Sequence, residues 1–108
     1  MISQEKCNPD CPVARASDVL SGKWTTLIIR DLLADKKRFS ELARSLGGVS
    51  PRVLSERLSM LEGEGLISKK IYPTVPPMTG YQLTSKGQGI RPVIDALAQF
   101  GVGLRKAR

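Results

Sequence analysis

The stretch Phe39–Ile67, "FSELARSLGGVSPRVLSERLSMLEGEGLI", decides how the rest of the chain is read. Its first part puts Leu42, Ala43 and Leu46 on one side of a short helix. Ser40 can cap that helix ahead of Glu41, whose charge suits a helix N-terminus. "GGVS" then turns the chain, with Gly47 or Gly48 available for a positive φ. Ser50 is a good N-cap and Pro51 a good first residue for a second helix. Leu54, Leu58 and Leu61, at i, i+4 and i+7, form its inner stripe, and Gly65 stops it. Two short helices joined by a tight glycine turn predict a helix-turn-helix over about residues 40–64, and the small Ala43 lets the second helix come close. Many helical hairpins bind no DNA, so the outer face matters. Arg52, Ser55, Glu56 and Ser59 are polar there, and Arg57 flanks them. Short hydroxyls and arginines at the N-terminal end of a helix suit base edges and phosphates in a major groove. A merely solvated face would more often carry Glu–Lys pairs.

Beyond the helix the period changes. Leu66–Tyr72 and Gly80–Thr84, on either side of the proline-rich "PTVPPMTG", predict an antiparallel hairpin over about residues 66–84. A helix-turn-helix followed by a hairpin is a winged helix, mainly α with a small β-hairpin wing. Lys69 and Lys70 lie on the first strand, where they can neutralise phosphates or guard a strand edge against aggregation. Upstream, Val13, Ala16, Val19 and Leu20 are spaced as a helix over 12–20 that opens on Pro12 and breaks at Ser21-Gly22. "KWTTLIIRDLLA" follows as a second helix with Trp24, Leu27, Ile28 and Leu32 on one face, Trp24 being core, and "DKKR" makes a turn. The last segment, 85–104, puts Ile90, Val93, Ile94, Leu97, Phe100, Val102 and Leu104 in one wide stripe, on a helix that Pro92 bends. Its surplus suggests a subunit interface built by Ile90, Ile94, Leu97 and Phe100 with help from Val13 and Leu20. Packing within one chain is the alternative.

The chain has 108 residues, room for one domain spanning 1–108. Its 17 Lys and Arg against 10 Asp and Glu leave a net charge of +7, which favours a polyanion partner. There is no histidine, so the Ser-His and Cys-His nucleophilic arrangements are excluded. Two cysteines alone do not complete a zinc site, and Gly47-Gly48 lacks the Lys-Ser/Thr of a phosphate loop. Neither an enzyme nor a cofactor or metal is expected. No run is long enough to span a membrane and no secretory h-region is present, so the expected location is the cytoplasm, with no membrane partner.

Both cysteines, Cys7 and Cys11, lie in "KCNPDCPVARAS". In a cytoplasmic chain they are not a resting disulfide. A thiol oxidoreductase would use C-x-x-C and a βαβ pattern, and neither is present. Cys11 directly precedes Pro12 at the predicted start of the first helix. The positive end of that helix, with Lys6 and Arg15 nearby, favours a thiolate, and Asp10 opposes it. A small buried hydrophobe is the other reading of Cys11.

The runs "CPVARASDVLSGKWTTLIIRDLL", "KRFSEL", "VSPRVLSERLSMLEGEGLI", "YPTVPP", "YQLTSKG" and "PVIDAL" resemble, in order and spacing, the HxlR-type winged-helix transcriptional regulators, relatives of the MarR group. The resemblance runs from Cys11 to about Gly101. It implies a homodimer, joined through its terminal helices, on a palindromic double-stranded DNA operator, with a repressor favoured over an activator. By position it places Ser50, Pro51, Arg52, Ser55 and Arg57 on the recognition helix and Lys69 and Lys70 on the wing. It also implies a role for Cys11: the cysteine before "PV" matches a position that in several such regulators senses oxidants or reactive electrophiles. Cys7 has no such match and is a resolving partner, within the chain or across the dimer, or no participant. One departure stands out. Such wings often carry a basic and then an acidic residue after "VPP", as in PPRVEY. This chain has "PPMTGY", with Met78 and Gly80, which argues against a charged phosphate contact at the tip. The rival readings are a regulator of this type with another effector or none, and a nonspecific architectural DNA binder.

Overall fold

The computed structural model describes residues 11–104; Cys7, and the thiol role considered for it, lies outside them. Helix α1 (Pro12–Leu20) opens on its proline and stops before Ser21, and α2 (Lys23–Ala34) follows after Gly22. A two-residue strand β1 (Lys37–Arg38) leads directly into α3 (Phe39–Leu46), and α4 (Pro51–Gly63) follows across the glycine turn. Strands β2 (Ile67–Tyr72) and β3 (Met78–Leu83) form the hairpin, and α5 (Ser85–Gln88) and α6 (Arg91–Val102) close the described chain. The sheet is antiparallel in the order β1-β3-β2, with Lys37 opposite Tyr81 and Ile67 opposite Leu83.

The core gathers one apolar stripe from each central element. Ile28, Ile29 and Leu32 of α2 meet Leu42 and Leu46 of α3, Leu54, Leu58 and Leu61 of α4, and Leu66, Ile67, Tyr81 and Leu83 of the sheet. Trp24 is half-buried at the edge of this core rather than inside it, with the Lys23 ammonium 4.6 Å from its ring centroid. The buried Thr25 spends its hydroxyl on the Ser21 carbonyl at 2.9 Å, which joins α2 to the preceding turn.

Four further expectations are corrected. "DKKR" is not only a turn: Lys37 and Arg38 pair with β3, a contact that two residues with no periodicity of their own do not announce. Ser40 does not cap α3. The helix starts at Phe39 with Arg38 as N-cap, and Glu41 Oε1 reaches back to accept from the Arg38 N–H at 2.7 Å. The second long strand begins at Met78 rather than Gly80. The segment 85–104 is not one bent helix: α5 ends at Gln88, and Pro92 lies in the first turn of α6, where its missing N–H costs no helical bond.

Neither α1 nor α6 contains a buried residue. Leu20, Ile90 and Ile94 are half-buried against the core, whereas Val13, Leu97 and Phe100 stand exposed, Val13 at 72% and Phe100 at 69%. The residues assigned to an interface thus divide between the core and an uncovered apolar surface.

Candidate nucleic-acid interface

Helices α3 and α4 meet through a turn that only glycine serves easily, since Gly48 sits at φ +95°. Val49, half-buried, pins the turn to the core, and Ser50 starts α4 with its hydroxyl accepting from the Val53 N–H at 3.1 Å. Pro51 is the first helical residue, as the sequence predicts. Leu54, Leu58 and Leu61 bury one side of α4, which leaves Arg52, Ser55, Glu56 and Ser59 exposed together on the other. Arg52 Nε donates to Glu56 Oε2 at 3.2 Å, one turn along. Ser50 and Pro51 are exposed at the head of this face, and Ser40 is exposed on the first turn of α3.

Arg57 stands apart from that set. It is half-buried, and a Cβ on Gly22 would lie 3.1 Å from its Nη2, so its guanidinium packs on the corner between α1 and α2. Its Nε is buried and makes no hydrogen bond. The structure therefore gives Arg57 to the junction of α4 with the α1–α2 corner rather than to the exposed face.

The wing separates the two lysines. Strand alternation puts Lys69 on the side of Ile67, where the helices pack, and Lys70 on the opposite side with Tyr72. Lys70 Nζ lies 5.1 Å from the Tyr72 ring centroid. At the tip, Thr74 closes the loop: its N–H donates to the Tyr72 carbonyl at 2.8 Å and its hydroxyl to the Pro76 carbonyl at 2.7 Å. No charged side chain lies between Pro73 and Thr79.

Lys36, Lys37, Arg38 and Arg44 are further cations close to α3, outside the set that the sequence predicts. The run of three basic residues ahead of α3 is the signal for them in the sequence, and its turn-like composition hides it. Cys11 is half-buried at the N-cap of α1, and its carbonyl accepts from the Arg15 N–H at 3.0 Å. Among the described residues no three metal-binding side chains gather, and no helix is long and apolar enough to cross a membrane.

Among the described residues nothing covers the polar face of α4, and the helix stands between the glycine turn and the wing. A helix-turn-helix followed by a β-hairpin places the protein among the winged helix-turn-helix proteins. The chain belongs to the HxlR-like helix-turn-helix family, whose sequence pattern matches residues 19–107. It is 41% identical over 91 residues to an HTH-type transcriptional regulator of Methanothermobacter thermautotrophicus, covering 84% of this chain and 70% of that one. A MarR-family transcriptional regulator from Porphyromonas gingivalis superposes with a TM-score of 0.84 at 41% identity, over 97% of this chain and 99% of that one. The redox regulator HypR, in its oxidised form, superposes at 0.83 with 32% identity, over 90% and 100%. The protein is accordingly a DNA-binding transcriptional regulator of the HxlR/MarR type.

Proposed function

We propose that the protein is a dimeric repressor that recognises a palindromic operator and releases or tightens on it when Cys11 is oxidised or alkylated. The observation that carries the DNA part is the uncovered face of α4. There Arg52, Ser55, Glu56 and Ser59 read bases, while Ser40, Ser50 and Lys69 hold phosphates on either side. The dimer part rests on α1 and α6, which leave Val13, Leu97 and Phe100 without cover. Two copies joined there present two α4 helices to half-sites about one helical turn, roughly 34 Å, apart or a multiple of it.

The thiol part rests on placement. Cys11 begins α1, a helix with no fully buried side chain, so a modification there can shift α1 at small cost in core packing. The likeness to HypR, a redox regulator, supports the same reading. Moving α1 at a dimer interface changes the separation of the two α4 helices, and both must fit their grooves at once. The test is operator binding by wild type and Cys11→Ser, each with and without diamide or a quinone. A response present in wild type and absent in Cys11→Ser supports the reading. Equal affinity in all four samples refutes the sensor, and equal affinity for operator and random duplex refutes the specific regulator.

A further inference from the structure

The side of the sheet that faces away from the helices carries a cleft of about 610 Å3, a size that takes small organic ligands. Strand alternation builds it. Lys70 and Tyr72 of β2, Met78 and Gly80 of β3, and Arg38 of β1 all share this side. Lys36, just before β1, lines it as well.

Its charge is unbalanced. The two acids in the lining are engaged with backbone: Asp35 Oδ1 accepts from the Lys36 N–H at 2.8 Å, and Glu41 Oε1 from the Arg38 N–H at 2.7 Å. The ion pairs among the described residues are Arg30–Asp31 and Arg52–Glu56, and neither involves a cation of this cleft. The other end is apolar. Tyr72 and Met78 oppose each other across β2 and β3, both half-buried. Between the two ends Gly80 contributes no side chain, and a Cβ there would lie 3.0 Å from Tyr72 Cε2. The PPRVEY wing pattern has its acidic residue at this place. In this chain the glycine lets the Tyr72 ring lie over the strand and leaves the cations without that carboxylate.

We propose that the cleft binds a small organic anion carrying a flat ring, its charge held by Arg38, Lys36 and Lys70 and its ring set against Tyr72 and Met78. Arginine and lysine together favour a phosphate or carboxylate, and the tyrosine–methionine end rewards a planar apolar body. No bond is made or broken, and the site lies on the opposite side of the sheet from Lys69 and α4.

The test is a titration of the full chain with phenyl phosphate in phosphate-free buffer, followed through backbone amide shifts in NMR. Saturable shifts are expected at residues 36–38, 70–72 and 78–80. Inorganic phosphate and phenol should each bind more weakly than phenyl phosphate. Gly80→Glu puts a carboxylate among the cations and should weaken binding about tenfold or more, and Arg38→Gln should weaken it as well, an independent check if the glutamate disturbs the sheet. The proposal is overturned if no saturable shifts occur, if they centre on α4, or if inorganic phosphate binds as tightly as phenyl phosphate. It is also overturned if random duplex DNA displaces the probe and Arg38→Gln lowers the salt dependence of DNA binding, because the face is then a DNA-backbone contact. The titration needs no operator, so its result is separate from that of the operator reading.

Discussion

Arg52 and Glu56 share one turn of α4, and the bond between them holds the guanidinium along the exposed face of the helix. Their side chains are 87% and 55% exposed, so the pair adds little stability and opens cheaply toward a base. Arg52→Ala is expected to cost about 1–3 kcal/mol of operator affinity and to relax the preference at one base position. Gel shifts on the operator and its single-base variants measure this, and unchanged binding removes Arg52 from the interface. Arg57 is the opposite case. At 3.6 residues per turn it lies about 140° round the helix from Arg52. Its angle was therefore legible in the sequence, but its charge drew it into the outer set. Arg57→Ala should lower the melting temperature through lost packing on Gly22 and leave the salt dependence of DNA binding unchanged. Tyr81 adds a pH effect. Burial, and after it the Glu62 carboxylate, raises its phenol above the usual value. A raised folded pKa means the contribution is complete below the unfolded value of about 10 and is lost as pH climbs through the folded one. Tyr81→Phe should flatten the decline in melting temperature above about pH 10, and an equal decline in both proteins would assign the loss to other groups.

Strands and helices obey rules that neighbouring residues can split. Adjacent lysines on β2 take opposite sides, so they are not equivalent contacts. Lys69→Ala should reduce the slope of log affinity against log salt by about one unit, and Lys70→Ala should leave it close to wild type. Equal losses would mean that DNA wraps both sides of the wing. The α4 boundaries were legible because Ser50, Pro51 and a leucine stripe agree with one another at every level. Strand β1 was not, since two residues carry no period and the pairing partner is more than forty positions away, at Gly80 and Tyr81. The α3 start was misread for a related reason. A hydroxyl capping forward and a glutamate capping backward leave similar traces in sequence, and here Glu41 supplies the cap. Close approach is a further property hidden from pattern. A Cβ on Gly87 would overlap the Leu66 carbonyl oxygen and come within 2.9 Å of Leu83 Cδ2. Gly87→Ala should therefore lose about 1–3 kcal/mol in urea unfolding with the slope unchanged, because a backbone atom has to move.

At the scale of the molecule the sequence showed an excess of apolar side chains on its last helix, and the structure shows where the excess goes. Ile90 and Ile94 join the core, while Leu97 and Phe100 do not. The stripe alone does not separate these roles, because inward and outward positions drift together along a helix that crosses the edge of a small core. Phe100→Lys should yield monomers in sedimentation with the fold intact and should weaken operator binding, and a dimer that survives it would place the interface elsewhere. If two copies pair through the uncovered turns from Leu97 to Val102, as proposed, there is a consequence for dosage as well. A regulator that pairs before it grips occupies its operator, when dilute, in proportion to the square of its own abundance. Halving its synthesis then cuts occupancy about fourfold, and a gradual change in supply becomes a steeper change in the transcription it governs.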